Sequence, residues 1–299
     1  MTAPLSRRGM LSALAGAILP ESPPRARAAG KAPRPNIVVF LSDDMGWDQV
    51  GFNGGKEVPT PNIDAIAREG VRLTQFYVQP VCTPSRSCLL TGRYAWKTGT
   101  ERRPSALSSQ GMLRDERTVA EALREAGYAT WITGKWHLGE WRTAHLPLAR
   151  GFDHHYGFYG ALIGSFTHTR EGILDWHRNG RPVIEEGYST FLLAEEAARL
   201  IMRHDGSRPF FLYLPFNAVH SPNQAPEEYL KKYEHLGRTG PQRAQLECMD
   251  IAAGRVMKAL RDKGIDRDTL VLFANDNGGP PRMMLSVIRK RSFLSLCRL

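Results

Sequence analysis

Four apolar runs of strand length, at 36–41, 129–132, 209–214 and 269–274, govern what this chain of 299 residues can fold into. Each is continuous rather than alternating, which is the pattern of a strand buried on both faces. Between them lie stretches of helical character. Thr118-Val119-Ala120-Glu121 is a capping box that opens a helix, and Gly127 closes it. Segments 191–202 and 244–260 carry apolar residues at three- and four-residue spacing, the second ending near Gly264. Strands alternating with helices predict an α/β fold, with a largely parallel central sheet covered by helices on both faces. In such sheets ligands bind where loops leave the carboxyl ends of the strands, so the chemistry is expected there.

Two carboxylate-bearing motifs fall at those ends. Leu41-Ser42-Asp43-Asp44-Met45-Gly46 follows the first run, and Ala274-Asn275-Asp276-Asn277-Gly278-Gly279 follows the last. Successive strand residues point to opposite faces, so Asp43 and Asp44 converge only where the strand gives way to a loop, which Gly46 permits. Adjacent carboxylates repel, and a hard divalent cation relieves the repulsion. An oxygen-only set with no neighbouring His or Cys pair favours calcium or magnesium over zinc. Asp43, Asp44, Asp276 and Asn277 are therefore candidate metal ligands.

The net charge of +10 points to nucleic acid only until it is located. Arg7, Arg8, Arg25, Arg27, Lys31 and Arg34 against Glu21 give the first 34 residues half of it, and Arg282, Arg289, Lys290, Arg291 and Arg298 give the last 18 the other half. The body between is neutral, so no basic face for DNA or RNA is expected. Ser6-Arg7-Arg8-Gly9-Met10 leads into a short apolar run stopped by Pro20. About ten apolar residues are too few for a stable membrane span, which needs roughly 20. Residues 1–34 thus read as an export signal and leader, twin-arginine-like or Sec, which places the protein in a bacterial periplasm or outside the cell. Cys82, Cys88, Cys248 and Cys297 show neither metal-ligand spacing nor a disulfide framework, and no essential disulfide is expected.

The stretch Val81-Cys82-Thr83-Pro84-Ser85-Arg86-Ser87-Cys88-Leu89-Leu90-Thr91-Gly92-Arg93 has a Cys-x-Pro-Ser-Arg core leading into an apolar helical turn. It resembles the active-site signature of the sulfatases. The resemblance implies that Cys82 is not used as a thiol but is oxidised to formylglycine by a formylglycine-generating enzyme. A serine or cysteine that captured a sulfuryl group would remain a stable ester, whereas a hydrated aldehyde keeps a second hydroxyl whose deprotonation expels sulfate. Gly127-Tyr128-Ala129-Thr130-Trp131-Ile132-Thr133-Gly134-Lys135-Trp136-His137-Leu138 resembles the second signature of the family. Lys135 and His137 alternate, so on extended backbone they share one face. By resemblance Lys135 binds sulfate, His137 assists deprotonation of the formylglycine hydroxyl, and Arg86 pairs with formylglycine and stabilises the anionic site. His220, in Ala218-Val219-His220-Ser221-Pro222, takes a sulfate-binding or leaving-group role, and the residue at position 82 joins the metal ligands. Segments 150–153, 160–165 and 225–229 are similar to the arylsulfatase B group, which includes N-acetylgalactosamine-4-sulfatases. They suggest a sulfated small molecule or glycan as substrate, with Ser165 lining the site.

The resemblance runs over 35–281 and implies an alkaline-phosphatase-like catalytic domain, incomplete at its C-terminal end. Full members continue through a second sulfate-binding lysine and a small C-terminal sheet, whereas residues 282–299 form an unrelated basic tail that reads like a shifted frame. The expectation is a chain with the catalytic residues encoded but with poor stability and weak or absent activity. Two other readings share the same residues. One is a phosphonate or phosphate ester hydrolase of the same superfamily, the other a non-catalytic remnant that binds metal or anions.

Overall fold

The computed structural model describes residues 34–102 and 109–279, together with the backbone of a strand at Leu294–Arg298. The expected export signal, and the tail apart from that strand, lie outside the described residues. In chain order the strands are β1 (Asn36–Ser42), β2 (Val71–Leu73), β3 (Ala129–Lys135), β4 (His154–Phe158), β5 (Thr169–Arg170), β6 (Ile173–Leu174), β7 (His177–Arg178), β8 (Arg181–Pro182), β9 (Phe210–Pro215), β10 (Thr269–Asn275) and β11 (Leu294–Arg298). Nine of these form one sheet in the order β2-β11-β10-β1-β9-β3-β4-β7-β8, while β5 and β6 form a separate hairpin.

The four apolar runs became β1, β3, β9 and β10, each ending one to three residues later than the run itself. With β4 they make the parallel centre of the sheet, and antiparallel strands close both edges. The sequence pattern did not reveal β4, because His154, His155 and Gly157 interrupt its apolar character. Pairing with β3 nevertheless buries it, His155 completely.

Strand alternation sorts the core into two layers. Val38, Phe40, Leu212, Leu214, Val271 and Phe273 meet the helices Pro61–Glu69, Ser189–Arg203 and Gly240–Asp262. Val39, Leu41, Phe211, Tyr213 and Ala274 face the other way, towards Leu90 of the helix Cys82–Thr91 and Ala120 of the helix Val119–Glu125. Each Val, Leu or Phe among them contributes about 1.5–3 kcal/mol when fully buried. The capping box is present as expected. The Thr118 hydroxyl accepts from the Glu121 amide at 3.0 Å, and the Glu121 carboxylate accepts from the Thr118 amide at 2.7 Å.

At the carboxyl end of β3 the backbones come very close. Gly134 pairs in register with Gly157 of β4, and both have positive φ. A Cβ on Gly134 would lie 2.0 Å from the Pro215 carbonyl oxygen of β9, so only glycine fits there. This tight crossing sets the position of the next residue, Lys135.

Candidate active site

The ends of β1, β3, β9 and β10, with the first turn of the helix Cys82–Thr91, bring the predicted residues together. Asp43 and Asp44 leave β1, and Asp44 takes a left-handed backbone conformation, φ 57°. Asp43 is fully buried. The loop carrying it is fixed by two backbone hydrogen bonds to the segment after β9, Asp43 N–H to Ala218 O at 2.9 Å and Val219 N–H to Asp43 O at 2.8 Å. Cys82 opens its helix after an extended Val81, and Thr83 ties that turn to the third strand's loop by donating to the His137 carbonyl at 3.2 Å.

Arg86 sits one turn into the helix with no exposed surface. Its Nε and Nη2 donate to Asp276 Oδ2 at 3.1 and 2.8 Å, Nη1 donates to the Lys135 carbonyl at 3.3 Å, and Nη2 lies 3.6 Å from Asp43 Oδ1. Lys135 Nζ donates to the other oxygen of Asp43 at 2.6 Å. Asp276 Oδ1 accepts from the Asp44 amide at 3.2 Å, and Asn277 Nδ2 donates to Asp44 Oδ1. His220 donates from Nδ1 to the Ser221 carbonyl at 2.6 Å, which leaves Nε2 directed at Asp44 Oδ2, 3.5 Å away.

The electrostatics follow from burial. Burial pushes the Arg86 guanidinium down, but Asp276 and Asp43 more than reverse this and hold it firmly charged. Burial, then the charge of Asp43, pushes the Asp276 carboxyl up against the opposing pull of Arg86. The Cys82 thiol is also pushed up, chiefly by burial and further by Asp43 and Asp276, with Lys135 opposing. Its thiolate is therefore disfavoured, which is the reverse of what a thiol nucleophile requires.

The oxygen donors Asp43, Asp44, Asp276 and Asn277 fit a hard cation, whereas the Cys82 sulfur and the His220 nitrogen beside them do not. Asp43, Cys82 and Asp276 present ligand atoms within 4.8 Å of one another, as do Asp43, Asp44 and His220. Asp43 Oδ1 and Asn277 Oδ1 are buried yet accept no hydrogen bond among the described residues. Buried oxygens normally find a partner. Counted in their ionised forms, three carboxylates against Arg86 and Lys135 leave one net negative charge, which a divalent cation would turn into one net positive charge.

One expectation needs correction. Extended-strand alternation does not place His137, because β3 ends at Lys135 and His137 has φ 58°, so a turn carries its side chain. Ser165 is fully buried, and its hydroxyl accepts from Asn217 Nδ2 at 3.4 Å. Two supporting residues were missed. Asn275 accepts from the Ser42 hydroxyl at 2.8 Å and the Met45 amide at 3.2 Å and donates to the Met45 carbonyl, joining the loops after β1 and β10. Gln245, buried in the helix Gly240–Asp262, donates to the carbonyls of His220 and Pro222 at 3.3 and 3.2 Å. A lone Gln inside an apolar helical stripe was the available signal for it.

A sequence profile described as Sulfatase matches residues 35–284. The chain is 37% identical over 274 residues to mouse (Mus musculus) arylsulfatase J, a match covering 86% of this chain and 45% of that protein. It is 35% identical over 273 residues to mouse N-acetylgalactosamine-6-sulfatase, covering 84% of this chain and 52% of that protein. Among solved structures, Ps i-CgsB in complex with k-i-k-neocarrahexaose aligns with a TM-score of 0.81 at 31% identity, over 88% of this chain and 66% of that one. The chain spans about half the length of the two mouse proteins.

Proposed function

The chain belongs to the sulfatase family, and from that premise we propose that it hydrolyses a sulfate ester of a carbohydrate, with formylglycine at position 82 and a calcium or magnesium ion. The observation that carries this reading is the convergence of Asp43, Cys82, Arg86, Lys135 and Asp276 inside one buried cluster. Formylglycine supplies a hydrated aldehyde, one hydroxyl for attack on sulfur and a second for expelling sulfate. Asp43, Asp44, Asp276, Asn277 and the residue at position 82 would hold the cation, which supplies Lewis acidity towards sulfate oxygens.

The chain's own residues do the rest. Arg86 aims Asp43 and Asp276 and opposes the burial that pushes the Asp276 carboxyl up, because it meets both carboxylates from within the protein. Lys135, on Asp43, adds a fixed positive charge that binds the sulfate and stabilises the charge that grows on it. His137 takes the proton from the hydroxyl at position 82. His220, its Nδ1–H occupied by the Ser221 carbonyl, uses Nε2 to contact the sulfate or to protonate the departing alcohol.

The substrate is a sulfated glycan, a reading supported by the relatives named for N-acetylgalactosamine and by the neocarrahexaose complex. A formylglycine-generating enzyme acts on the chain, which is then delivered to the periplasm or secreted. Among the described residues no helix is long and apolar enough to cross a membrane. Co-expression with the modifying enzyme tests the proposal. The converted chain is expected to hydrolyse p-nitrophenyl sulfate in a divalent-dependent manner, and Cys82→Ala to abolish this. A converted chain, verified by peptide mass, that leaves the sulfate untouched or prefers an aryl phosphonate would overturn it.

A further inference from the structure

The loop after β3, Tyr159 after β4, the hairpin β5–β6 and the segment into β7 line an open cavity of about 190 Å³. One backbone hydrogen bond ties its lining to the turn that carries His137. Tyr159, which lines it, follows β4 and accepts from the His137 amide at 3.0 Å, and Glu140 lies three residues beyond His137. The polar groups around it are held by one another. Arg170 donates to Glu140 at 2.7 Å, each only 13–14% exposed. Asp175 accepts from the amides of Tyr159 and Gly160 at 2.9 and 2.8 Å and lies 3.5 Å from His177 Nδ1. Tyr159 is stacked between the rings of His155 and His177 at 4.8 and 4.3 Å. Trp141, by contrast, lines the same cavity with 57% of its surface exposed.

Resting on the function proposed above, we propose that this cavity is a saccharide subsite, holding an uncharged pyranose ring next to the sulfated one. Its volume is below the ~300–1,000 Å³ of pockets that enclose drug-sized molecules, which suits a single ring. The open face of Trp141 matches the C–H face of a sugar. Glu140 and Asp175 accept from ring hydroxyls and Arg170 donates to them, as charge-assisted hydrogen bonds. The occupant is neutral because Glu140, Glu171 and Asp175 outnumber Arg170 around the cavity, so a uronate or a second sulfate meets repulsion.

Saturation-transfer NMR on the full chain, titrated with methyl β-galactoside and methyl β-glucuronide, tests the subsite without requiring turnover. The galactoside is expected to bind, Trp141→Ala to weaken it about tenfold, and the exposed Glu171→Lys to raise the affinity for the glucuronide. Unchanged galactoside affinity in Trp141→Ala, or a glucuronide bound as tightly as the galactoside by the unaltered chain, would overturn the subsite. A chain that binds the galactoside but leaves p-nitrophenyl sulfate intact counts against the proposed hydrolysis alone.

Discussion

Arg86 lies wholly inside the protein with Asp276 on two of its nitrogens and Asp43 3.6 Å from one of them. Replacing it with Met keeps the volume but takes the counter-charge from the buried Asp276 and leaves Asp43 with Lys135 alone. Arg86→Met is therefore expected to lose about 3–5 kcal/mol of stability, read from urea denaturation of the cation-free chain, and a loss below about 1 kcal/mol would show that the pair is not structurally needed. Asp43, Arg86, Lys135 and Asp276 were legible in the sequence because each stands in a stretch whose residue types only make sense together. Asn275 and Gln245 were not, since what makes them matter is the set of carbonyls and amides that the fold brings to them.

At the scale of elements, the strands buried on both faces were readable because burial on both sides demands continuous apolar runs. β4 escaped because its neighbours tolerate two histidines and a glycine. The crossing of β3, β4 and β9 at Gly134 and Gly157 was equally hidden, since it depends on the Pro215 carbonyl of a strand some eighty residues away in sequence. Gly134→Ala forces a side chain into that carbonyl at φ 145°. It is expected to cost roughly 2–3 kcal/mol and to lower activity further by displacing Lys135, whereas Gly180→Ala, with positive φ but open space around it, keeps activity. A matched thermal melt and aryl sulfate assay of the two variants separates strain from displacement of the site.

For the molecule as a whole, burial makes folding sensitive to acid. The ring of His155 has no hydrogen-bond partner among the described residues, and burial, with the neighbouring His177 and His154, pushes it down to about 3. An unfolded histidine titrates near 6.5, so between those values the unfolded chain binds a proton that the folded chain refuses. Stability is then complete above about pH 6.5 and falls as the pH drops towards 3, by about 2 kcal/mol at pH 5. His155→Phe keeps the stacking on Tyr159 and removes the proton, so denaturation at pH 7 and pH 5 should show a smaller loss than in the unaltered chain; equal losses would remove His155 from the account. The order of the sheet carries a consequence in time. β1 lies between β9 and β10, so its site is not closed until the last of these has been made, and 190 residues separate Arg86 from Asp276. At ~5–20 residues per second of synthesis, this leaves ~10–40 s in which Cys82 exists without its final neighbours. On the function proposed above, the modifying enzyme that must reach that side chain has an interval set by the ribosome, and slowing or speeding translation between those two codons should change the fraction of chains that leave it converted.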